Sequence, residues 1–409
     1  MEYGLIGEKL GHSFSKQIHE SLNGYKYELK ELSKEEFDNF MIKKEFTAIN
    51  VTIPYKEKVI PYLDYIDPTA EKIQAVNTIV NKNGKLYGYN TDYLGLKDLI
   101  VKNNIEVLNK KALILGTGGT SKTATVVLQD LGIKEIIYAS RSNLEGTISY
   151  NDIYQHTDIQ IIINTTPCGM YPNINESLVD LDKLNNVEAV IDVIYNPLRT
   201  KLIIDAQERN IKTATGLYML VSQAVYASSI FLDKKIDLLK QDNIYKTIFN
   251  EKRNIVLIGM PSCGKTSIAM ELKRILSKDF IDTDFEIEKR INKKIKDYLT
   301  EENEEEFRNI ESSVVKDIST LNNKVISTGG GIIKRKTNID LLKANGLIIF
   351  IDRPLDKLIT SSSRPLSSSK EKLEKLYNER YQKYISSADI IIKNDNEFIY
   401  TINKILENI

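Results

Sequence analysis

The stretch from Asn254 to Ser267, NIVLIGMPSCGKTS, constrains the fold of this chain more than any other. Ile255 to Ile258 form an apolar run that reads as a buried strand, and Gly259 opens a loop directly after it. Gly259, Gly264, Lys265 and Thr266 match the spacing G-x-x-x-x-G-K-[ST]. Small residues at that spacing let backbone N–H groups wrap around phosphate oxygens, and a helix starting near Lys265 turns its positive end toward them. Lys265 is placed to reach the β- and γ-phosphates of ATP, and the Thr266 hydroxyl to bind Mg²⁺. Met260, Pro261, Ser262, Cys263 and Ser267 complete the cradle. A nucleoside triphosphate domain therefore starts near residue 252, and everything before it needs a separate account.

A chain of 409 residues holds about two or three domains at roughly 150 residues each. Hydrophobic content of 42% and charge of 27% are those of an ordinary globular chain. Lys+Arg and Asp+Glu balance at 56 each, so nothing pulls the whole chain toward nucleic acid or an anionic membrane. Cys168 and Cys263 lie far apart, which suits a reducing compartment. No signal-like start and no long apolar run is visible, and the expectation is a cytoplasmic protein.

The first hundred residues alternate short apolar runs with polar, helix-like segments, an α/β rhythm. Polar groups collect at the run ends: Gly11-His12-Ser13-Phe14-Ser15, then Asn50-Val51-Thr52-Ile53-Pro54-Tyr55-Lys56, Ala75-Val76-Asn77-Thr78 and Asn90-Thr91-Asp92. Strand ends are where α/β folds gather ligands. Taken singly, Ser13, Ser15 and Asp92 also read as helix caps and Asn77 as a turn residue. Further on, Lys111–Leu115 (KALIL) reads as a strand running into Gly116-Thr117-Gly118-Gly119-Thr120, then a helix and a second strand, Glu135–Ala139. This is a βαβ unit with a glycine-rich turn, although Ser121 stands where G-x-G-x-x-G would have its third glycine. The second strand ends in Ser140-Arg141-Ser142 with no acid to bond a ribose hydroxyl, and an Arg between two hydroxyls favours the 2′-phosphate of NADP.

GHSFS, NVTIPYK, AVNT and NTD, in that order and followed by the glycine-rich turn, resemble shikimate dehydrogenase from Tyr3 to about Leu232. The resemblance implies that Ser13, Ser15, Thr52, Asn77 and Asp92 bind the hydroxyls and carboxylate of shikimate, with Lys56 and Asp92 as the catalytic pair. Reduction of a ketone needs a proton at the oxygen, which a lysine can supply. It also implies that Tyr195 and Gln223 touch substrate, and that Val193 and Gly216 lie near the nicotinamide of NADPH.

Beyond the phosphate loop stand Asp282-Thr283-Asp284, the acidic run Glu301–Glu306 before Arg308, the glycines 329–331, Arg364-Pro365-Leu366 and Arg380-Tyr381. In this order they resemble shikimate kinase over about 253 to 395, with Ser262 where these kinases often carry glycine. The resemblance implies that Asp284 is the base for the substrate hydroxyl, that Arg308 and Arg380 clamp its carboxylate, and that Gly330 approaches the ring. Arg364 would stabilise the transferring phosphoryl group in a lid, and Asp282 would order the water around Mg²⁺. The glutamates of 301–306 are expected to face solvent.

The expected architecture is α/β throughout: a substrate domain over 1–100, a Rossmann-like NADP domain over 101–240, a linker over 241–252, and a P-loop kinase domain of the nucleoside monophosphate kinase type over 253–409. The expected function is reduction of 3-dehydroshikimate followed by phosphorylation of shikimate, within aromatic amino acid and chorismate biosynthesis. Alternatives keep one half as a binding module, or make the first half a quinate dehydrogenase. Monomer and homodimer both remain open.

Overall fold

The computed structural model describes the whole chain except residues 12–13, 143, 236–237, 301 and 361–368. The described residues separate into two compact units, Met1–Ile248 and Phe249–Ile409. Residues 241–252, the expected linker, lie inside a helix, Leu238–Lys252. The run holds no Pro or Gly, so nothing in it ends a helix.

The first unit is built on two sheets. One joins β1 (Tyr3–Gly7), β2 (Glu28–Glu31), β3 (Ala48–Val51), β4 (Tyr65–Ile66), β5 (Thr78–Lys82) and β6 (Lys85–Tyr89) in the order β2-β1-β3-β5-β6-β4. Only β5 runs antiparallel to its neighbours. The other joins β7 (Lys111–Leu115), β8 (Glu135–Ala139), β9 (Thr147–Ile148), β10 (Ile161–Asn164), β11 (Ala189–Asp192) and β12 (Lys212–Thr215), all parallel, in the order β12-β11-β10-β7-β8-β9. Counted from its own first strand, this is the doubly wound order of dinucleotide-binding sheets, whose direction reverses beside β7. Its central strands Ile161–Asn164 and Ala189–Asp192 are buried at every residue, because helices cover both faces of a parallel sheet.

Two helices join these sheets. Thr91–Lys102 follows β6, and Gly216–Leu232 follows β12. They pack so closely that a Cβ on Gly95 would lie 2.7 Å from the Met219 carbonyl oxygen, and the Ser222 hydroxyl donates to Asp98 at 2.6 Å. The far end of Gly216–Leu232 returns to the first sheet, where Ala227 and Phe231 pack with Leu5, Tyr27 and Val80.

The second unit holds one parallel sheet: β13 (Asn254–Ile258), β14 (Asp279–Asp282), β15 (Lys324–Ser327), β16 (Gly346–Asp352) and β17 (Ile390–Lys393), ordered β14-β15-β13-β16-β17. The phosphate loop leaves the buried central strand β13, again where the strand order reverses. Among the described residues no helix is long and apolar enough to cross a membrane.

His19 sits at the heart of the first unit's aromatic core. Its ring stacks on Tyr27 at a centroid distance of 4.1 Å, Nδ1 lies 2.6 Å from the Tyr25 hydroxyl, and Nε2 has no partner among the described residues. Complete burial lowers its pKa from 6.5 to about 3. The unfolded chain therefore binds the proton first, and stability is lost as pH falls below the unfolded value toward the folded one. Relative to His19→Asn, the wild-type thermal midpoint is expected to lose ground steadily as pH falls from the ordinary histidine value of 6.5 toward about 3; a gap independent of pH would contradict this.

Candidate active sites

In the first unit a cavity of about 290 Å³ opens between the C-terminal ends of the two sheets. Lys56, from the turn after β3, meets Asp92, in the first turn of the helix after β6, at 2.5 Å. Both side chains are mostly buried, at 20% and 14% exposed, so the ion pair is partly shielded from water. Asn77 lines the same cavity. Its Oδ1 accepts from the Thr91 N–H at 2.8 Å and from the hydroxyls of Thr78 and Thr91. A backbone donor cannot be an acceptor, so this contact fixes the amide with Nδ2 turned the other way. Asn90 accepts from the Tyr93 N–H and donates to the Ala75 carbonyl at 2.9 Å, so the AVNT and NTD segments lock together. Underneath, Asn50 donates to the Asn77 carbonyl and accepts from the Tyr27 hydroxyl at 2.7 Å.

Ser15, Thr52, Tyr195 and Gln223 also line the cavity. Gln223 donates from Nε2 to the Leu220 carbonyl at 2.8 Å, which spends one of its two N–H donors inside its own helix. Burial raises the Tyr195 hydroxyl above its ordinary value, and its ring meets Phe14 edge-on. Ser13 lies outside the described residues. Val193, Thr120 and Gly216 close the cavity from the second sheet. A side chain at Gly216 would run into the Val193 carbonyl, so only glycine lets these two segments touch.

The glycine-rich turn stands beside this cavity. Gly116 leaves β7 bonded to the Ala139 carbonyl at 2.9 Å, and Thr117 and Gly118 are exposed. Gly118 caps the helix Gly119–Asp130 without any side-chain bond, which leaves the first N–H groups open to an anion. Ser140 is buried and its hydroxyl accepts from the Ser142 N–H at 3.2 Å, while Arg141 is exposed and makes no ion pair among the described residues. An uncapped helix start and an unpaired guanidinium fit a dinucleotide with an extra phosphate.

A residue that motif reading passed over ties this wall together. Asp192, fully buried at the end of β11, accepts from Thr200 Oγ1 at 2.6 Å, from Asn164 Nδ2 at 3.1 Å and from the Ile194 N–H at 3.0 Å. Asn164 in turn accepts from the Thr166 N–H and donates to the Cys168 carbonyl, so one carboxylate holds the loops after β10 and β11. The clue in the sequence was an acid closing the apolar strand AVID.

In the second unit a larger cavity, about 820 Å³, is lined by the phosphate loop, Asp282, Asp284, Arg308, the three glycines and Arg380. Lys265 is buried, and its ammonium donates to the carbonyls of Gly259 at 2.8 Å and Met260 at 3.0 Å. Gly264 caps the helix Lys265–Leu276 with no side-chain bond, so its N–H groups also face an anion site. Asp282 caps the next helix through Oδ1, while Oδ2 accepts from the Thr266 hydroxyl at 3.3 Å. Ser327 adds a third oxygen at 3.3 Å from that hydroxyl. Hard oxygens in small number suit Mg²⁺, which keeps several waters and takes the rest from phosphate. Among the described residues no group of three or more His, Cys, Asp or Glu could hold a metal alone.

The glycine turn after β15 is shaped by its neighbours. A Cβ on Gly329 would meet the Asp284 carboxylate, and one on Gly331 would meet the Arg308 guanidinium. The Gly330 carbonyl accepts from Arg380 at 2.8 Å and from the Tyr384 hydroxyl at 2.6 Å. Arg308 forks onto Glu311 at 2.9 and 3.0 Å and reaches Glu304 at 3.1 Å. Burial alone would lower the Arg308 pKa, but these carboxylates hold it above its ordinary value. Glu304 also accepts from Lys334 at 2.8 Å, so the expectation of a purely solvent-facing acidic run fails at this residue. Glu305 pairs with Arg335 but is 84% exposed. Cys263 and Met260 are buried under the loop; Ser262 adopts a positive φ of 64° and donates to the Ile359 carbonyl at 2.8 Å. Arg364 and Glu301 lie outside the described residues.

Asp192 yields a prediction of its own. Burial raises its carboxyl from 3.8 to about 6, so the folded chain holds this proton more readily than the unfolded one. Its contribution to stability is fullest below the ordinary carboxylate value and is lost as pH rises through the raised one. The stability of wild type relative to Asp192→Asn is expected to grow as pH falls from 7 to 5 (roughly across the raised value), read from denaturant unfolding of the first unit; a shrinking difference would refute the assignment.

The family profile described as "Shikimate dehydrogenase substrate binding domain" matches residues 5–79, and the one described as "Shikimate kinase" matches residues 261–409. A shikimate dehydrogenase (NADP(+)) of Clostridium beijerinckii is 39% identical over 267 residues, 61% of this chain and 98% of that relative. A solved shikimate dehydrogenase of Peptoclostridium difficile is 41% identical with a TM-score of 0.54, covering 61% of this chain and 98% of that one. Another, crystallised with NADP⁺, is 32% identical with a TM-score of 0.54 and covers 60% of this chain and 94% of its own. The chain belongs to the shikimate dehydrogenase family over its first 61% and carries a shikimate kinase domain in its second unit.

Proposed function

We propose that the two sites act in series on one molecule: the first unit reduces 3-dehydroshikimate to shikimate, and the second phosphorylates shikimate at its 3-hydroxyl. The observation that supports the series is that the first family's product is the compound for which the second family is named. Bound NADPH would supply the hydride for the ketone carbon. Lys56 gives a proton from its ammonium to the carbonyl oxygen, leaving an alcohol and a neutral amine that solvent recharges. Asp92 holds that ammonium at 2.5 Å and accepts from a neighbouring substrate hydroxyl. Asn77 offers Nδ2 to a second hydroxyl, since its oxygen is already occupied by three donors. Ser15, Thr52 and Tyr195 present hydroxyls to the carboxylate side, and Gln223 retains its carbonyl oxygen for substrate. Gly118, Gly119 and Thr120 hold the pyrophosphate of the dinucleotide, and Ser140, Arg141 and Ser142 its 2′-phosphate.

In the second unit Thr266 and Asp282 would hold Mg²⁺ beside bound ATP, where the ion would offset the charge on the phosphate oxygens as the γ-phosphoryl group is transferred. Asp284 accepts the proton of the 3-hydroxyl, and Arg308 and Arg380 bind the carboxylate and so fix the distance from that hydroxyl to the phosphate loop. Lys265 leaves its loop carbonyls to meet the phosphates. We assign Arg364 to the transferring group on the motif alone.

Two single substitutions separate the halves. Lys56→Met should lower reduction by at least about a hundredfold while ATP-dependent phosphorylation of added shikimate is unchanged. Lys265→Met should do the reverse, by a similar order. Loss of both activities from either substitution would contradict two independent sites.

A further inference from the structure

A phosphate loop works only if its N–H groups point inward, and the plane of each peptide makes that a statement about its carbonyls. In a trans peptide C=O and N–H are antiparallel, so fixing the direction of one fixes the other. The Cys263 carbonyl, on the peptide that carries the Gly264 N–H, accepts from Asn394 Nδ2 at 2.8 Å. That N–H donates no hydrogen bond among the described residues. Gly264 has φ of 97°, which glycine adopts without cost, and a Cβ there would stand 3.2 Å from the Asn394 amide.

Asn394 lies just past β17 and is itself held on two sides. Its N–H donates to the Asp352 carbonyl at 2.7 Å, and its Oδ1 accepts from the Thr401 hydroxyl at 2.9 Å. Thr401 and Cys263 are fully buried and Asn394 is 5% exposed, so water cannot replace any of these bonds cheaply. The Cys263 carbonyl can only accept, so it takes Nδ2 and leaves Oδ1 to the Thr401 hydroxyl, which anchors the other end of the amide.

We propose that Asn394, anchored by Thr401, is a positioning residue for ATP use, fixing the Cys263–Gly264 peptide so that the Gly264 N–H points into the phosphate site. This rests on the reading of the loop as an ATP cradle. Without the amide, the buried carbonyl loses its donor and the peptide can rotate, turning an oxygen toward the phosphates instead of an N–H. The residue touches no substrate; its effect passes through the loop.

The test uses the full chain and compares Thr401→Ser, which keeps the hydroxyl, with Thr401→Val, which keeps the volume without it, alongside Asn394→Ala. Thr401→Ser should stay within about twofold of wild type, whereas Thr401→Val and Asn394→Ala should raise the KM for ATP about tenfold. The KM for shikimate should change by less than about twofold, because Arg308, Arg380 and Asp284 do not depend on this peptide. A partly unfolded preparation lowers kcat but leaves the KM of the surviving molecules alone, so the KM for ATP isolates the effect. If Asn394→Ala does not fold, the Thr401 pair decides alone. Unchanged KM for ATP in Thr401→Val, or an equal rise in Thr401→Ser, overturns the proposal. A wild-type chain without any ATP-dependent activity would instead overturn the reading of the loop.

Discussion

A parallel sheet covered on both faces has nowhere to expose polar chemistry except past the ends of its strands. That constraint arranges this chain. Lys56 stands past β3 and Asp92 past β6; Gly116 leaves β7, Asp192 ends β11, the phosphate loop leaves β13, and the glycine turn leaves β15. Strands such as IIIN and AVID are apolar until their last residue, where the first polar side chain appears. The same rule gives the two units their different chemistry. One sheet edge brings an ammonium and a carboxylate to a small cavity; another brings backbone N–H groups and guanidinium groups to a larger one.

Behind the groups that face each cavity lies a layer of buried polar residues whose task is direction. Asn77 can present a donor because three other donors occupy its oxygen. Asp192 holds two loops with four bonds, and Glu311 accepts a two-pronged contact from Arg308. Each of these groups gave up its hydration on burial, which is tolerable only when its bonds are nearly all made. Breaking one therefore leaves several neighbours unpaired at once.

The sequence revealed whatever local spacing encodes. The phosphate loop was legible because four residues at fixed intervals dictate a backbone shape, and the strand before it was apolar throughout. The doubly wound sheet followed from alternating apolar runs and a glycine turn. Asp282 and Asp284 were legible as a pair, and the structure adds that the first caps a helix while the second lies against Gly329. What stayed hidden depended on distant contacts. Asn394 and Cys263 are far apart in the chain, as are Asn50 and Thr78, and no local pattern links them. Glu311 stands three residues after Arg308 on one helix face, within pairing distance, but belongs to no motif that would single it out. Reading the acidic run 301–306 as solvent-facing hid the bonds of Glu304. The helix Leu238–Lys252 was legible as a charged run without any helix breaker.

One incubation tests the central claim most directly: 3-dehydroshikimate, NADPH and Mg-ATP with the full chain, following shikimate and shikimate 3-phosphate by mass. Shikimate 3-phosphate that forms only when both NADPH and ATP are present is the predicted result. Shikimate that accumulates without phosphorylation, or no consumption of NADPH, would contradict two working sites in series.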